Sequence, residues 1–384
     1  MAKSVWALGV GASGSGYPHA EGLIAVLSTS EDWRMRDAVR WLPGNVHLWR
    51  LGKADAMERM RIVFHLAWRV ALLPVDLIRA RASGAMVFTP YPSLFTLAVA
   101  RLMPRLIRPR IVADCFISVW DSAFADRQMG VGPEGFGSLV KRFESWCLRA
   151  ADAVLVDTVE NAQFFEREFT LEAARVHVVP LAVNVEKLLE LQPAARMPDA
   201  PLRVLYVGTF VPLHGVQVIV DAMRRLSKND GVELRIIGDG QDAHLLEAAL
   251  REGIDCPVEW IRVWQSRDDL VAHYAWADVC LGIFGASGKA NRVLPFKIYA
   301  ALAAGRVVVT QREMGSPTSE RPPTVVCEAS GQDLADALIC LKKRSSVVSQ
   351  FAQHGREYYA RSLSERAVAE AWSLVRVSLS SSNI

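Results

Sequence analysis

Cysteine patterns that would hold a metal or staple a small fold are missing from this sequence. Its six cysteines are scattered along 384 residues, with no C-x-x-C pair. This argues against a disulfide framework or a zinc site and favours buried free thiols in a reducing cytosol. A charge excess is missing too, because the formal net charge is only +3. We therefore expect no nucleic-acid partner.

A long uninterrupted apolar run is also absent, although a membrane-spanning helix needs about 20 such residues. The most apolar stretch, residues 62–78, is broken by His65, Arg69, Pro74 and Asp76. We predict a helix buried in the core here. The alternative is a helix lying on an anionic membrane surface, since arginines flank the apolar positions. The prediction is a cytoplasmic protein, and the alternative adds peripheral contact with the inner face of the membrane.

Short apolar or β-branched runs are plentiful, and helical patterns separate them. The runs in the first half are SVWALGV, AMVFTPY, RIVAD, AVLVDT and VHVVPL. Those in the second half are LRVLYVGT, VELRIIGDG, VEWIRV, VCLGIF, RVVVTQ and TVVCE. The segment 138–151 is predicted to be an amphipathic helix, with an apolar face of Leu139, Phe143, Trp146, Cys147 and Ala150. This alternation is typical of an α/β protein with parallel sheets between helices.

A proline-rich segment, QPAARMPDAP at residues 192–201, separates the two series of strands. It has no apolar periodicity, which is typical of an interdomain linker. We predict a first Rossmann-like domain at 1–190, a linker at 191–201 and a second Rossmann-like domain at 202–362. A terminal helix and polar tail follow at 363–384.

Two glycine-containing loops of the second domain follow predicted strands, where doubly wound sheets bind ligands. The first loop precedes a helix starting at Val216, and its candidate residues are Gly208, Thr209, His214 and Gly215. Its glycines would let backbone approach a ligand, and the helix start offers N–H groups to a phosphate. The second loop has Gly238 and Gly240, between which a flat base could lie. Taken singly, such glycines are also typical of ordinary turns.

A third loop combines small residues with cations, and its candidates are Phe284, Gly285, Ser287, Lys289 and Arg292. It leads to a helix starting near Pro295 that carries Lys297. Three cations close to one helix N-terminus suit a diphosphate. The alternative is a solvated basic face.

The order of these motifs resembles the family 4 glycosyltransferases over most of the chain. The fragments that carry the resemblance are GTFVPLHG, IIGDGQ, ADVCLGIFGASGKANRVLP, KIYAALAAGRVVVT and DCFISVWDSAFADRQ. The resemblance implies a GT-B fold, two Rossmann-like domains facing across a cleft, the first on the acceptor side. It also implies a nucleotide diphosphate-sugar donor, retention of anomeric configuration and no cofactor or metal. The acceptor would be a glycan or lipid-linked molecule in surface polysaccharide or glycolipid synthesis.

The sequence departs from that family at phosphate-binding and ribose-binding positions. Thr209 and His214 stand where many members have an arginine and a lysine. Arg292 and Ala300 stand where many have two glutamates, the second of which holds the ribose hydroxyls. An alanine cannot accept those hydrogen bonds. Two alternatives therefore stay open: a catalytically degenerate subunit that binds a nucleotide-sugar or a partner, and a GT-B nucleotide-sugar 2-epimerase.

The first half offers fewer candidates. A glycine-rich loop containing Gly14 follows the first strand and is expected to face donor phosphate or acceptor. Asp114 and Asp121 follow the strand RIVAD, and either would orient the acceptor hydroxyl; helix caps and surface ion pairs are the alternative. The histidines His19, His65 and His177 lack sequence partners and are interpreted as core or surface residues.

Overall fold

The computed structural model describes residues 3–11, 18–29, 33–41, 56–122, 135–285 and 287–381. Their contacts divide the chain into two units. The first unit contains the described residues up to Asn184 together with those from Glu365 onward. The second unit is Val185–Ser364.

The first unit has a six-stranded parallel sheet in the order β2-β1-β3-β4-β5-β6. Its strands are β1 (Lys3–Gly11), β2 (Trp33–Trp41), β3 (Met86–Thr89), β4 (Ile111–Asp114), β5 (Ala153–Val156) and β6 (Val176–Val178). Its helices are α1 (Pro18–Ser28), α2 (Ala56–Ala71), α3 (Leu73–Ala82), α4 (Leu94–Leu102), α5 (Phe136–Leu148) and α6 (Val159–Phe169), with α14 (Glu365–Ser381) joining from the C-terminal end.

Successive residues of β3 point to opposite faces of this sheet, and both faces are buried. Val87 packs with residues of α3 to α6. Phe88 packs with α1 and α14, and its ring meets the Trp372 ring edge-on at 5.8 Å. A strand covered on both faces must be apolar throughout, which is why its sequence, MVFT, shows no alternation.

The second unit repeats the architecture, with the order β12-β11-β10-β7-β8-β9. Its strands are β7 (Leu202–Val207), β8 (Val232–Ile237), β9 (Val258–Ile261), β10 (Val279–Leu281), β11 (Val307–Gln311) and β12 (Val325–Cys327). Its helices are α7 (Glu186–Leu189), α8 (Val216–Met223), α9 (Ala243–Glu252), α10 (Arg267–Trp276), α11 (Phe296–Ala303), α12 (Gly331–Lys343) and α13 (Ser345–Tyr358). The strand order reverses between β7 and β10, which makes their carboxyl ends the place where such folds bind ligands.

The predicted strands all occur, and the α/β class with two doubly wound units is confirmed. One strand, β2, is not among the predicted ones. Its sequence WRMRDAVRW carries four charged residues because it lies at the sheet edge and pairs only with β1. The predicted linker segment 191–201 packs on the second unit, where Ala194 donates its N–H to the Gly305 carbonyl at 2.9 Å.

The apolar stretch at residues 62–78 forms two helices, with Pro74 in the first turn of α3. The prediction of one buried helix is wrong for α2. Phe64 and Trp68 are 69% and 63% exposed, whereas Leu73 and Leu77 of α3 are fully buried. No described helix has both the length and the apolar character that crossing a bilayer requires.

The buried face of α5 also differs from the predicted one. Leu139 and Phe143 are mostly exposed, and Glu144 is buried beside Cys147 and Leu148. A helix normally turns its apolar stripe toward the core. A buried carboxylate where a phenylalanine is expected therefore needs hydrogen-bond donors nearby, and Glu144 has them. Five of the six unpaired cysteines are buried, and Cys340 is exposed.

Candidate active site

The loops after β7 and β10 lock together at the point where the strand order reverses. Gly215 has a φ of +64°, and a Cβ there would lie 2.3 Å from the Phe284 carbonyl carbon. A Cβ on Gly285 would lie 2.3 Å from the Leu213 oxygen. The Phe284 N–H donates to the His214 carbonyl at 3.2 Å. Gly215, Phe284 and Gly285 therefore hold the two loops against each other, a packing role that their sequence pattern does not reveal.

Gly208 marks the place where two buried polar groups converge. A Cβ at this position would lie 2.6 Å from Lys297 Nζ and 3.2 Å from Tyr206 Oη. Lys297 is in the first turn of α11, and its Nζ lies 4.1 Å from the centre of the Tyr206 ring. Both Nζ and Oη are buried, and neither has a hydrogen-bond partner among the described residues. Glycine at 208 thus keeps open a space that an amine and a hydroxyl both border.

The charges at this position are unbalanced. Burial holds the pKa of Lys297 well below its ordinary value. Burial, and then the positive charges of Lys297 and Lys289, hold the pKa of His214 well below 6.5. His214 Nδ1 contacts the Thr209 carbonyl, so this nitrogen carries the proton and Nε2 keeps a lone pair. An anion would relieve the mutual repulsion of these groups.

The cationic loop after β10 is a compact turn. The Ser287 hydroxyl accepts the Ala290 N–H at 3.2 Å, and the Lys289 carbonyl accepts the Arg292 N–H at 3.0 Å. Asn291 accepts a hydrogen bond from Gln311 Nε2 at 3.0 Å, which ties the turn to β11. The structure therefore brings Lys289 and Lys297 to one electrostatic site around His214, with Arg292 in the adjoining turn.

The second glycine turn also packs against the first loop. Gly238 has a φ of +139°, and a Cβ there would lie 1.9 Å from the Gly208 oxygen. Gly240, with a φ of +156°, pairs with Phe210 in an isolated bridge. Between them, the Asp239 carboxylate is paired with Arg262 at 3.0 Å. Any larger residue at 238 would separate the ends of β7 and β8.

Ala300 lies one turn after Lys297 on α11. Ile298, Tyr299 and Ala301 are buried, whereas Lys297 and Ala300 are both half-buried. Positions three apart lie on the same side of a helix, so Ala300 shares the side that carries Lys297.

In the first unit, Asp114 and Asp121 are both buried, at 1% and 5% exposure. Asp114 lies 3.5 Å from His19 Nε2 and receives N–H groups from Tyr91 and Phe116. His19 Nδ1 accepts the Ala182 N–H at 2.9 Å, so its proton is on Nε2, facing Asp114. His19, interpreted from the sequence as a core or surface residue, is buried at 2% exposure and has Asp114 as a partner. Gly14 and His65 fall outside the described residues and side chains.

Sequence reasoning does not identify Tyr206, His19 and Glu144 as members of polar sites. Tyr206 lies inside an apolar strand, and its hydroxyl is revealed only by its position next to Gly208. The partners of His19 are 95 and 163 residues away along the chain, which a local pattern cannot register.

Comparison with known proteins identifies the second unit. The family described as "Glycosyl transferases group 1" matches residues 201–344. This segment is similar to a glycosyltransferase domain. The predicted class of enzyme is thereby confirmed. None of the curated proteins matches the chain.

Solved structures share the fold over the whole chain. HepE of Anabaena, solved in complex with UDP, is 13% identical with a TM-score of 0.65, covering 99% of this chain and 100% of HepE. WaaG, a glycosyltransferase involved in lipopolysaccharide biosynthesis, is 15% identical with a TM-score of 0.60, covering 95% of this chain and 98% of WaaG. These likenesses confirm the GT-B fold.

Proposed function

We propose that the chain is a retaining glycosyltransferase of the family 4 kind, which takes its sugar from a nucleotide diphosphate-sugar. The observation that carries this proposal is the pair of buried, unsatisfied groups, Lys297 Nζ and Tyr206 Oη, at the ligand-binding end of β7. Leaving such groups unpaired costs free energy that an anionic ligand would recover. The solved complexes of HepE with UDP and with UDP-glucose support the choice of ligand.

The proposed chemistry needs a group that stabilises the leaving diphosphate. Lys297 would bind it from the buried side, Lys289 and Arg292 from the loop, and the N–H groups of α11 from the helix start. His214, held neutral with a lone pair on Nε2, would accept a hydrogen bond from a hydroxyl of the donor and contribute no charge. With these groups in place, the proposal includes no metal ion.

The transfer itself is a substitution at the anomeric carbon. The bond from this carbon to the diphosphate oxygen breaks, and a bond to the acceptor oxygen forms on the same face of the sugar. The acceptor proton passes to the released phosphate oxygen. Protein carboxylates then serve to orient the acceptor. We assign acceptor orientation to Asp121 and the holding of His19 to Asp114, whose carboxylate lies 3.5 Å from His19 Nε2.

For the acceptor we propose a glycan or lipid-linked molecule used in surface polysaccharide or glycolipid synthesis, met at the inner face of a membrane. Exposed apolar side chains along α2 and α3 support membrane contact, namely Met57, Met60, Val63, Phe64, Trp68, Val75 and Ile78. Arg79 and Arg81 lie in the last turn of α3. Apolar side chains flanked by arginines favour an anionic lipid surface.

The test of the proposed function combines calorimetry with a turnover assay. A panel of nucleoside diphosphates would be titrated into the protein, and the corresponding nucleotide-sugars would then be incubated with glycan and lipid acceptors. Release of nucleoside diphosphate together with a glycosylated product supports the transferase. Tight binding without turnover would favour the non-catalytic subunit that Ala300 suggests, and recovery of an epimerised donor would favour the 2-epimerase.

Binding of a nucleoside diphosphate is expected to take up protons. A bound phosphate returns the pKa of Lys297 toward its ordinary value, so between the two pKa values the complex holds more protons than the free protein. Affinity should therefore fall as pH rises through the pKa of Lys297 in the free protein. Calorimetry in two buffers with different ionisation enthalpies measures the uptake. The Lys297→Met variant should lose it, and uptake that persists in that variant would point to His214 instead.

Membrane contact is expected to show as salt-sensitive sedimentation with anionic liposomes. Charge attraction weakens as the Debye length shrinks to about 3 Å at 1 M salt, whereas apolar contact does not. Exchanging Phe64 and Trp68 for serine should reduce binding at every salt concentration, and the exposed Val263 and Trp264 of the second unit provide the matched control exchange. Absence of binding at low salt would remove the membrane from the proposal.

A further inference from the structure

The helical turn that carries Asp121 begins with backbone donors whose acceptors come from elsewhere. The structure describes this turn from Ser118 to Ser122. The first N–H groups of a helix have no partner within the helix. Here the Asp121 N–H donates to Ser118 Oγ at 3.1 Å, as in an ordinary N-cap. The two preceding N–H groups depend on another part of the chain.

That part is Glu144, in the middle of α5. Its Oε1 accepts the Val119 N–H at 3.0 Å, and its Oε2 accepts the Trp120 N–H at 2.8 Å. The Ser118 hydroxyl, which caps the turn, donates to Oε2 at 3.1 Å. Glu144 is only 2% exposed. The three N–H groups at the start of the turn thus donate either to one buried carboxylate or to the Ser118 hydroxyl that this carboxylate binds.

Apolar packing fixes the other side of the same turn. The Trp120 ring stacks with Phe164 at 6.4 Å between ring centres. Lys141 Nζ lies 4.4 Å from the centre of the Trp120 ring and pairs with Glu168 at 2.6 Å. The position of Asp121 therefore depends on a tryptophan held by the core and on a carboxylate held by hydrogen bonds.

We propose that Glu144 is a positioning residue for sugar transfer, because its ionised carboxylate holds the turn that presents Asp121 to the acceptor. This rests on the proposed function. The ionised form suits these three donors best, because protonation would turn one oxygen into a donor and reduce its capacity to accept. Burial, partly offset by the three hydrogen bonds and reinforced by the charge of Asp121, raises the pKa of Glu144 to about 7. The charge of Glu144 in turn adds to the burial that raises the pKa of the neighbouring Cys115 and Cys147 thiols.

Glu144→Gln is the informative exchange, because it keeps the shape and loses one acceptor. Glu172→Gln is the matched control, since it makes the same exchange at an exposed residue of the same unit. Hydrogen exchange of amides 118–122 should accelerate in Glu144→Gln and stay unchanged in Glu172→Gln, with the amides of β5 protected in both. Unchanged exchange at 118–122 would overturn the proposal whatever the activity.

The kinetic arm uses UDP-glucose as donor and octyl glucoside as acceptor. Transfer by Glu144→Gln should fall about 10- to 100-fold, as expected for a misplaced orienting group, while the Kd for UDP stays unchanged. Wild-type transfer should fall as pH drops through about 7, and Glu144→Gln should lack that inflection. Undiminished transfer in the variant, or equal loss of UDP binding, would overturn the proposal. If the wild type transfers no sugar with any donor and acceptor of the panel described above, the proposed function fails, whereas hydrogen exchange still decides whether Glu144 holds the turn.

If Glu144→Gln proves too unstable to purify, Ser118→Ala probes the same contact. It removes the hydroxyl that links Glu144 to the Asp121 N–H and leaves the carboxylate in place. A smaller loss of transfer with unchanged UDP binding supports the assignment. Full transfer activity together with unchanged exchange at 118–122 contradicts it.

Discussion

Replacing Lys297 with methionine should stabilise the free protein and, at the same time, strongly weaken its binding of nucleoside diphosphates. The Nζ atom is buried without a hydrogen-bond partner among the described residues and lies over the Tyr206 ring. An unsatisfied buried polar group costs about 1–3 kcal/mol of the free energy of unfolding. Methionine fills similar space without that cost. A phosphate that loses its charged partner loses about 1.5–3 kcal/mol of binding, or roughly 10- to 150-fold in affinity.

The two effects are measured separately. Thermal unfolding of the free protein gives the change in stability, and calorimetry with UDP and with uridine gives the change in binding. Uridine, which lacks the diphosphate, should bind the variant and the wild type equally. Lys228→Met, at an exposed lysine of the same unit paired with Asp255, is the control that should change neither. Equal weakening of UDP and uridine would contradict the assignment of Lys297 to the diphosphate.

The same variant has a defined pH dependence. The pKa of Lys297 is lowered in the folded state, so between that value and the ordinary one the unfolded chain binds more protons. Stability of the wild type must then rise with pH across this window. The Lys297→Met variant lacks the titrating group, so its advantage should be largest at the acidic end of the window and shrink as pH rises.

Local sequence patterns are sufficient for most of the fold because each strand that is buried on both faces must be apolar throughout. They fail at β2, where an edge position allows Arg36 to lie over the Trp6 ring at 4.3 Å. They fail in part in α5, where Cys147 and Ala150 of the predicted face are buried but Leu139 and Phe143 are exposed. Glu144 is buried instead because three donors from a turn more than 20 residues earlier need its oxygens.

At the candidate site, the sequence indicates which loops matter but not what each residue does. Lys289 and Lys297 are predicted to lie together, and the positive charge of each lowers the pKa of His214. Gly215 is predicted to make room for a ligand, yet it makes room for the backbone of the loop after β10. The contribution of Tyr206 Oη depends on its position next to Gly208, two residues later in the chain. The sequence of a strand does not reveal this position.

Ala300→Glu is expected to tighten nucleotide-sugar binding by about 1.5–3 kcal/mol, the value of hydrogen bonds to a charged acceptor. Ala300 is half-buried on the side of α11 that carries Lys297, so a glutamate there can reach the ribose hydroxyls of a nucleotide whose diphosphate meets that lysine. Calorimetry with UDP and with its 2′,3′-dideoxy analogue measures the effect. The gain should be confined to UDP, because the analogue lacks the hydroxyls.

Two further exchanges at the same position separate acceptor, charge and size. Ala300→Gln supplies an acceptor without charge and should give a smaller gain, whereas Ala300→Leu supplies size alone and should give none. Weaker binding by Ala300→Glu together with unchanged binding by Ala300→Gln would mean that the carboxylate repels the diphosphate and that another residue already holds the ribose. Unchanged affinity in all three variants would mean that position 300 does not face the nucleotide, and the correspondence of KIYAALAAGR with the ribose-binding helix of family 4 would have to be abandoned.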